Sequence, residues 1–347
     1  MLTLFLSLGL ILAVNLPTAA AAAPAPFSYV ASPLAIADTE PTGISCLPGF
    51  CVGVDYDGDV YLTSGTKAVK VATTNRYLFA ISCPSLSFCV AVGNSDEVTL
   101  TTINITERPL TAGPKTYVHW ESVSCISARF CVAGGGVTNG PHSGAGVVSF
   151  WNGSSWTRAK VIAPFLPDNT HTFIDSISCM RMTFCVAADG NNRVYQWNGK
   201  VWSSVHELEL VADTYNLSCT SIRFCVALGE SSTFATWNGH KWAFQTGPTG
   251  EQTPSGMSCS SPTFCMSIDA YGHAESWNGR AWSALETVDP NQFLNTVSCS
   301  RAFQCEAVDD QNNVVYFTDA GRPPSIPDVC PPGECVGSRF GLASFPR

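Results

Sequence analysis

Residues 177–202 read ISCMRMTFCVAADGNNRVYQWNGKVW. An aliphatic residue precedes Ser178-Cys179, and after a short loop comes Phe184-Cys185-Val186. Arg193 to Trp197 then runs to Asn198-Gly199, which turns the chain back into Val201-Trp202. Each run is rich in β-branched or aromatic residues and stops at turn formers, so the segment reads as four short strands, A to D. Asn-Gly is a strong local hairpin signal. The Ser-Cys phrase returns at Cys46, Cys83, Cys125, Cys219, Cys259 and Cys299, and in six of the seven copies Phe precedes the second cysteine. The last four copies start 40 residues apart. Such a period, made of short apolar runs, is the signature of a ring of four-stranded sheets. The expected fold is all-β: a seven-bladed β-propeller with four-stranded blades.

The chain ends bear on closure. The strand pattern of the last copy is lost after Phe317, at Gly321-Arg322-Pro323-Pro324, so one strand is missing there. Phe27-Ser28 stands ahead of Cys46 much as Trp202-Ser203 stands ahead of Cys219. The segment from about 27 to 36 is therefore expected to supply strand D of blade seven, which removes the open edges of the array.

All sixteen cysteines form close pairs: Cys46-Cys51, Cys83-Cys89, Cys125-Cys131, Cys179-Cys185, Cys219-Cys225, Cys259-Cys265, Cys299-Cys305 and Cys330-Cys335. Zinc knuckles use shorter spacings supported by histidine, and no histidine recurs at a fixed offset here. The pairs read as disulfides, each worth about 2 kcal/mol before any strain. Residues 1–23 hold an apolar run ending in five alanines, the pattern of a secretory signal, although Lys and Arg are missing from its start. A secreted, extracellular protein follows, with the propeller over 24–322 and a Pro-rich, disulfide-stapled tail over 323–347. Net charge is −9 and charged residues are 13% of the chain, with no Lys/Arg cluster. Nucleic acid and membrane surfaces are accordingly not expected as partners, and oligomeric state stays open.

Eight of the nine tryptophans sit in four hairpins of the form Trp-Asn-Gly-x-x-Trp, beginning at Trp151, Trp197, Trp237 and Trp277. They read as sugar-stacking platforms or as cross-strand pairs that stiffen each hairpin. The second reading is favoured because Thr63, Thr101 and Phe317 replace them elsewhere. The whole unit, Ser-Cys-x4-Phe-Cys-Val-Ala-x-Asp followed by Trp-Asn-Gly-x-x-Trp, resembles the secreted bacterial β-propellers with cysteine-stapled blades, of actinobacterial type and loosely related to Asp-box and kelch repeats. That resemblance covers about residues 27–322. It implies architecture and secretion, with no single activity.

Antiparallel order places the A–B and C–D turns on one face of the ring and the B–C and D–A loops on the other. The first face is uniform, so binding is expected on the second. Blade three spans 54 residues between successive Ser-Cys cysteines, and the excess falls in its B–C loop (Gly134 to Gly144) and D–A loop (Pro164 to Phe173). Together with His119 and Trp120 these loops gather His142, Asp168, His171 and Phe173 on one sector. Trp120, His119, His142, Asp168, His171 and Phe173 are the candidate ligand-binding residues, with Trp120 stacking on a sugar ring. The expected function is recognition of an extracellular glycan or cell-surface ligand. A polysaccharide lyase or glycoside hydrolase is the alternative, with His142, His171, Asp168, Asp57 and Glu306 as catalytic candidates, and a protein-interaction scaffold is a third reading. Against the site stands the ordinary tolerance of surface loops for insertions. No cofactor is expected beyond a weak calcium candidate at Asp55, Asp57 and Asp59, whose alternating acids lack a closing Glu. Asp55, Asp189, Asp269 and Asp309 share one offset after the second cysteine and read as caps of the B–C turn.

Overall fold

The computed structural model describes residues 27–33, 40–64, 67–74, 76–85, 87–94, 96–101, 105–109, 117–138, 144–165, 171–203, 206–208, 216–229, 233–246, 253–290 and 292–320. The expected signal segment over 1–23 and the expected Cys330–Cys335 staple of the tail lie outside the described residues. The described strands form seven sheets, six of four strands and one of five, each carrying one disulfide. This is a β-propeller. Its inner strands are Pro41–Leu47, Leu78–Ser85, Val118–Ser127, Ile174–Arg181, Asn216–Ser221, Pro254–Ser261 and Leu294–Arg301. Each packs against the next, and the last packs against the first. Among the described residues no helix is long and apolar enough to cross a membrane.

The serine of each Ser-Cys phrase proves to be the tie between blades. The amide of the first cysteine donates to the serine hydroxyl of the preceding blade: Cys83 to Ser45, Cys125 to Ser82, Cys179 to Ser124, Cys219 to Ser178, Cys259 to Ser218, Cys299 to Ser258, and Cys46 back to Ser298, at 2.9–3.0 Å. Inner strands have no ladder partner on the side of the axis, so a side-chain acceptor satisfies an amide that burial would otherwise penalise. Between blades lie layers of Val, Ile, Ala and the half-cystines, as in the layer joining Phe184, Val186 and Ala188 to Leu217, Cys219 and Ala227.

The N-terminal strand Phe27–Pro33 pairs antiparallel with Asn313–Asp319 and completes the last blade. The tryptophan hairpins are structural. Ring centroids in all four pairs stand 5.8 Å apart. The first indole N–H of each pair donates to a carbonyl of the cysteine loop, at Ala128, Met182, Ile222 and Pro262, over 2.9–3.2 Å. Each indole thus ties the C–D hairpin to the A–B loop on the uniform face.

Blade three departs from expectation. Its insertion extends the B–C hairpin as strands Phe130–Thr138 and Gly144–Trp151, and the pair His171–Thr172 runs parallel to the latter as a fifth strand. The Thr172 hydroxyl is fully buried and donates to Gly144 O at 3.0 Å. Much of what reads as loop is therefore packed sheet.

Candidate functional site

Every fully described inner strand carries a β-bulge at the same place, four residues before its first cysteine. Register shifts between Pro41 and Gly43, Leu78 and Ala80, Trp120 and Ser122, Ile174 and Ser176, Pro254 and Gly256, and Leu294 and Thr296. The extra residues are Thr42, Phe79, Glu121, Asp175, Ser255 and Asn295, all half-buried. The residue before each, Pro41, Leu78, Trp120, Ile174, Pro254 or Leu294, is buried in the core. A bulge leaves one residue without a ladder partner and re-aims its side chain, and bulges gather at barrel rims and functional sites. Here the Ser-Cys phrase after the bulge recurs in every copy while the bulged residue itself differs in every described blade.

Four of these residues, Thr42, Phe79, Glu121 and Asn295, join Glu40 and Pro41 around an open cavity of about 340 Å³. It is built by the loop-face ends of the inner strands of blades seven, one, two and three. The Thr42 hydroxyl donates to Leu78 O at 2.7 Å and the Asn295 amide to Pro41 O at 2.9 Å, so both lock neighbouring blades together at the rim. Beside the cavity the rings of Tyr56 and Tyr77 lie 4.8 Å apart, tilted by 34°, and Tyr56 stands 5.9 Å from Phe79 at 35°. Tyr56 is 41% exposed and Tyr77 52%, so two of the three side chains reach solvent. The Tyr56 amide donates to Glu40 O at 3.0 Å, which joins the aromatic shelf to the acidic rim. Burial raises the pKa of Glu121, and the nearby His119 partly opposes the shift.

The structure separates the residues singled out in sequence. Trp120 is fully buried in the layer between blades two and three with Val90, Val118, Val137 and Val147, so it offers no face to a ligand. The bulge is the reason: Trp120 occupies the core slot that Leu78, Ile174 and Leu294 fill elsewhere. His119 and Phe173 do come together, their rings stacked at 6.4 Å and 16°. Phe173 lies over Gly136, where a Cβ would meet its ring at 1.9 Å. His171 belongs to the fifth strand of blade three, opposite Gly144. His142 and Asp168 lie outside the described residues.

Glu306 is not on the loop face. It stands in strand B where Val52, Val90, Val132, Val186, Val226 and Met266 stand in the other blades, and it is 3% exposed. It accepts a hydrogen bond from the Thr63 hydroxyl, and it lines a small cavity with Cys46, Cys51, Gln304 and Tyr316 near the cysteine loops. Thr63 takes the place of a hairpin tryptophan, which leaves room for the carboxylate between the last blade and the first. Burial, and then Glu306, push the Tyr316 hydroxyl pKa up.

The calcium candidate does not assemble. Asp55 Oδ1 accepts the Asp59 amide at 2.7 Å, Asp59 pairs with Lys70 at 2.9 Å, and Asp57 is exposed on the turn. Among the described residues the one group of three potential ligands is Cys46, Cys51 and Glu306, and its two sulfurs are joined in a disulfide. The shared aspartates are caps, as their offset implies. Asp189, Asp269 and Asp309 each accept two backbone amides at 2.6–3.1 Å, and their second oxygen takes the side chain of Arg193, His273 or Asn313.

The sequence reading singled out His119 and Phe173 but not Tyr77, Phe79 or Glu121. A signal existed. Counted back from the first cysteine, position six holds Glu40, Tyr77, His119, Phe173, Thr253 and Phe293, and position four holds the bulged residues. Both vary from blade to blade ahead of a constant Ser-Cys.

No family model matches the chain, and no curated protein matches it. Solved structures do. The WD40 beta propeller domain of Doa1 superposes with a TM-score of 0.65 at 13% identity, over 86% of this chain and 98% of that one. The computationally designed Ika8 protein gives a TM-score of 0.55 at 10% identity, over 82% and 98%. At such identities the likeness shows the fold alone: the chain is a β-propeller with a disulfide stapling each blade.

Proposed function

We propose that the protein is an extracellular recognition module that binds a glycan at the mouth formed by the loop-face ends of the inner strands of blades seven, one, two and three. The observation that carries this reading is the shelf of Tyr56, Tyr77 and Phe79 beside the Glu40 and Glu121 carboxylates. Flat aromatic faces stack on the apolar face of a pyranose while carboxylates accept its hydroxyls. Seven disulfides in the described chain are consistent with an oxidising, extracellular setting. The binding sector moves from the inserted loops of blade three to the rim of blades seven to three, with His119 and Phe173 at its border.

Isothermal titration calorimetry of the oxidised protein against soluble oligosaccharides tests the reading. Saturable heat is expected, and Tyr77→Ala, at an exposed position, is expected to weaken binding about tenfold. Binding unchanged in Tyr77→Ala and Phe79→Ala, or silence across neutral, anionic and cationic sugars alike, would sink it. One observation favours an enzymatic variant: the raised pKa of Glu121 suits a proton donor, with Glu40 on the same rim. Turnover would appear as heat flow that persists after each injection and stops in Glu121→Gln.

A further inference from the structure

We infer that the sugar taken by this mouth is cationic, an oligomer of hexosamine units with free amino groups. The inference rests on the glycan reading above and names its substrate class. Among the residues lining the cavity the charged ones are Glu40 and Glu121, and neither takes part in an ion pair among the described residues. His119 is the cationic partner that acts on the Glu121 carboxylate. No lysine or arginine lines the cavity, and the chain as a whole carries −9.

Carboxylates with no lysine or arginine beside them in the cavity lining repel uronic acids and sulfated sugars, and a neutral glycan leaves their charge unanswered. An ammonium group answers it. It makes charge-assisted hydrogen bonds to the carboxylates. It is also attracted to aromatic faces, whose ring quadrupole is negative. Partial burial disfavours the charge on Glu121, so an arriving cation gains more there than at an exposed acid. A lysine side chain would satisfy the same charges, but it needs one narrow slot. The cavity is instead open, and the packed rings of Tyr77, Tyr56 and Phe79 stand beside it, an aromatic surface against which a pyranose ring can pack.

The test compares four soluble probes by calorimetry at low and at physiological salt. They are a β-1,4-linked glucosamine oligomer, its fully N-acetylated counterpart of equal length, a β-1,4-linked glucose oligomer, and an oligolysine peptide. The glucosamine oligomer is expected to bind at least tenfold more tightly than the acetylated and neutral sugars. Glu121→Gln and Glu40→Gln are each expected to weaken it about tenfold, and Tyr77→Ala by a similar factor, with thermal melts confirming that the variants fold. If the acetylated or neutral oligomer binds as well as the amine form, the cationic inference falls and the glycan reading survives. Oligolysine binding as tightly, with no effect of Tyr77→Ala, would reduce the site to general attraction for cations and overturn the inference. Failure of every sugar to bind overturns both readings.

Discussion

Glu275 is the residue whose environment is most at odds with its chemistry. It lies on strand C opposite Ser267, where Tyr61 and Tyr195 lie opposite Gly53 and Ala187 in other blades. It is 5% exposed and one of its carboxyl oxygens has no hydrogen-bond partner. Burial, aided by the Asp269 charge, raises its pKa to about 8. In the unfolded chain the same carboxyl ionises near 4.5. Between those values the folded protein holds a proton that the unfolded chain has released, so stability falls as pH rises from about 4.5 to about 8. Glu275→Gln is expected to flatten this part of a melting temperature against pH profile; an unchanged slope would refute the assignment. Trp120→Ala is expected to cost about 3–5 kcal/mol in chemical denaturation, as an emptied core site does, while protein that remains folded keeps its ligand affinity. The aspartate caps were legible from a repeated offset alone. Glu275 was not, because an acid in an alternating strand reads as solvent-facing until the neighbouring blade covers it.

At the scale of the element, blade three shows how an insertion becomes structure. Gly134-Gly135-Gly136 reads as flexible loop, yet all three residues are strand. Their missing side chains make room for the inserted segment, with Gly134 against Ile174 and Gly136 against Phe173. Gly136→Ala is expected to displace Phe173 and destabilise by about 1–3 kcal/mol. The double variant Gly136→Ala with Phe173→Ala is expected to cost less than the sum of the single changes, since the clash is gone. Additive costs in a denaturation cycle would show that the two side chains do not compete for the same space. The bulges belong to this scale as well. One extra residue reverses the in-out alternation of everything beyond it, which is why Trp120 faces the core and Glu121 the rim.

At the scale of the molecule, closure joins the two ends of the described chain. Phe27 packs edge-on against Phe317 at 5.5 Å, and its strand covers the outer edge of Asn313–Asp319. Deleting the chain up to residue 33 is expected to expose that edge and cause concentration-dependent association, visible in light scattering after size-exclusion chromatography. A stable monomer with an unchanged melting point would contradict the closure role. The serine relay is equally a property of the ring. Ser298→Ala and Ser178→Ala are each expected to cost about 1–2 kcal/mol, the penalty of an unsatisfied amide. Similar values would mean that the closing seam is as tightly tied as an internal one.

The amino-acid sequence by itself determined the repeat, the strand and turn pattern, the cysteine pairing within blades and the closing role of the N-terminal strand. Each of these is encoded by residues close in the chain or by an offset repeated along it. Only the tertiary structure decided which side chains meet. The bulge sets which residues face the rim, the ring brings Glu40, Phe79, Glu121 and Asn295 from four blades around one cavity, and the packing of blade on blade buries Trp120, Glu275 and Glu306. Those outcomes depend on contacts between segments tens to hundreds of residues apart, and local periodicity carries no term for them.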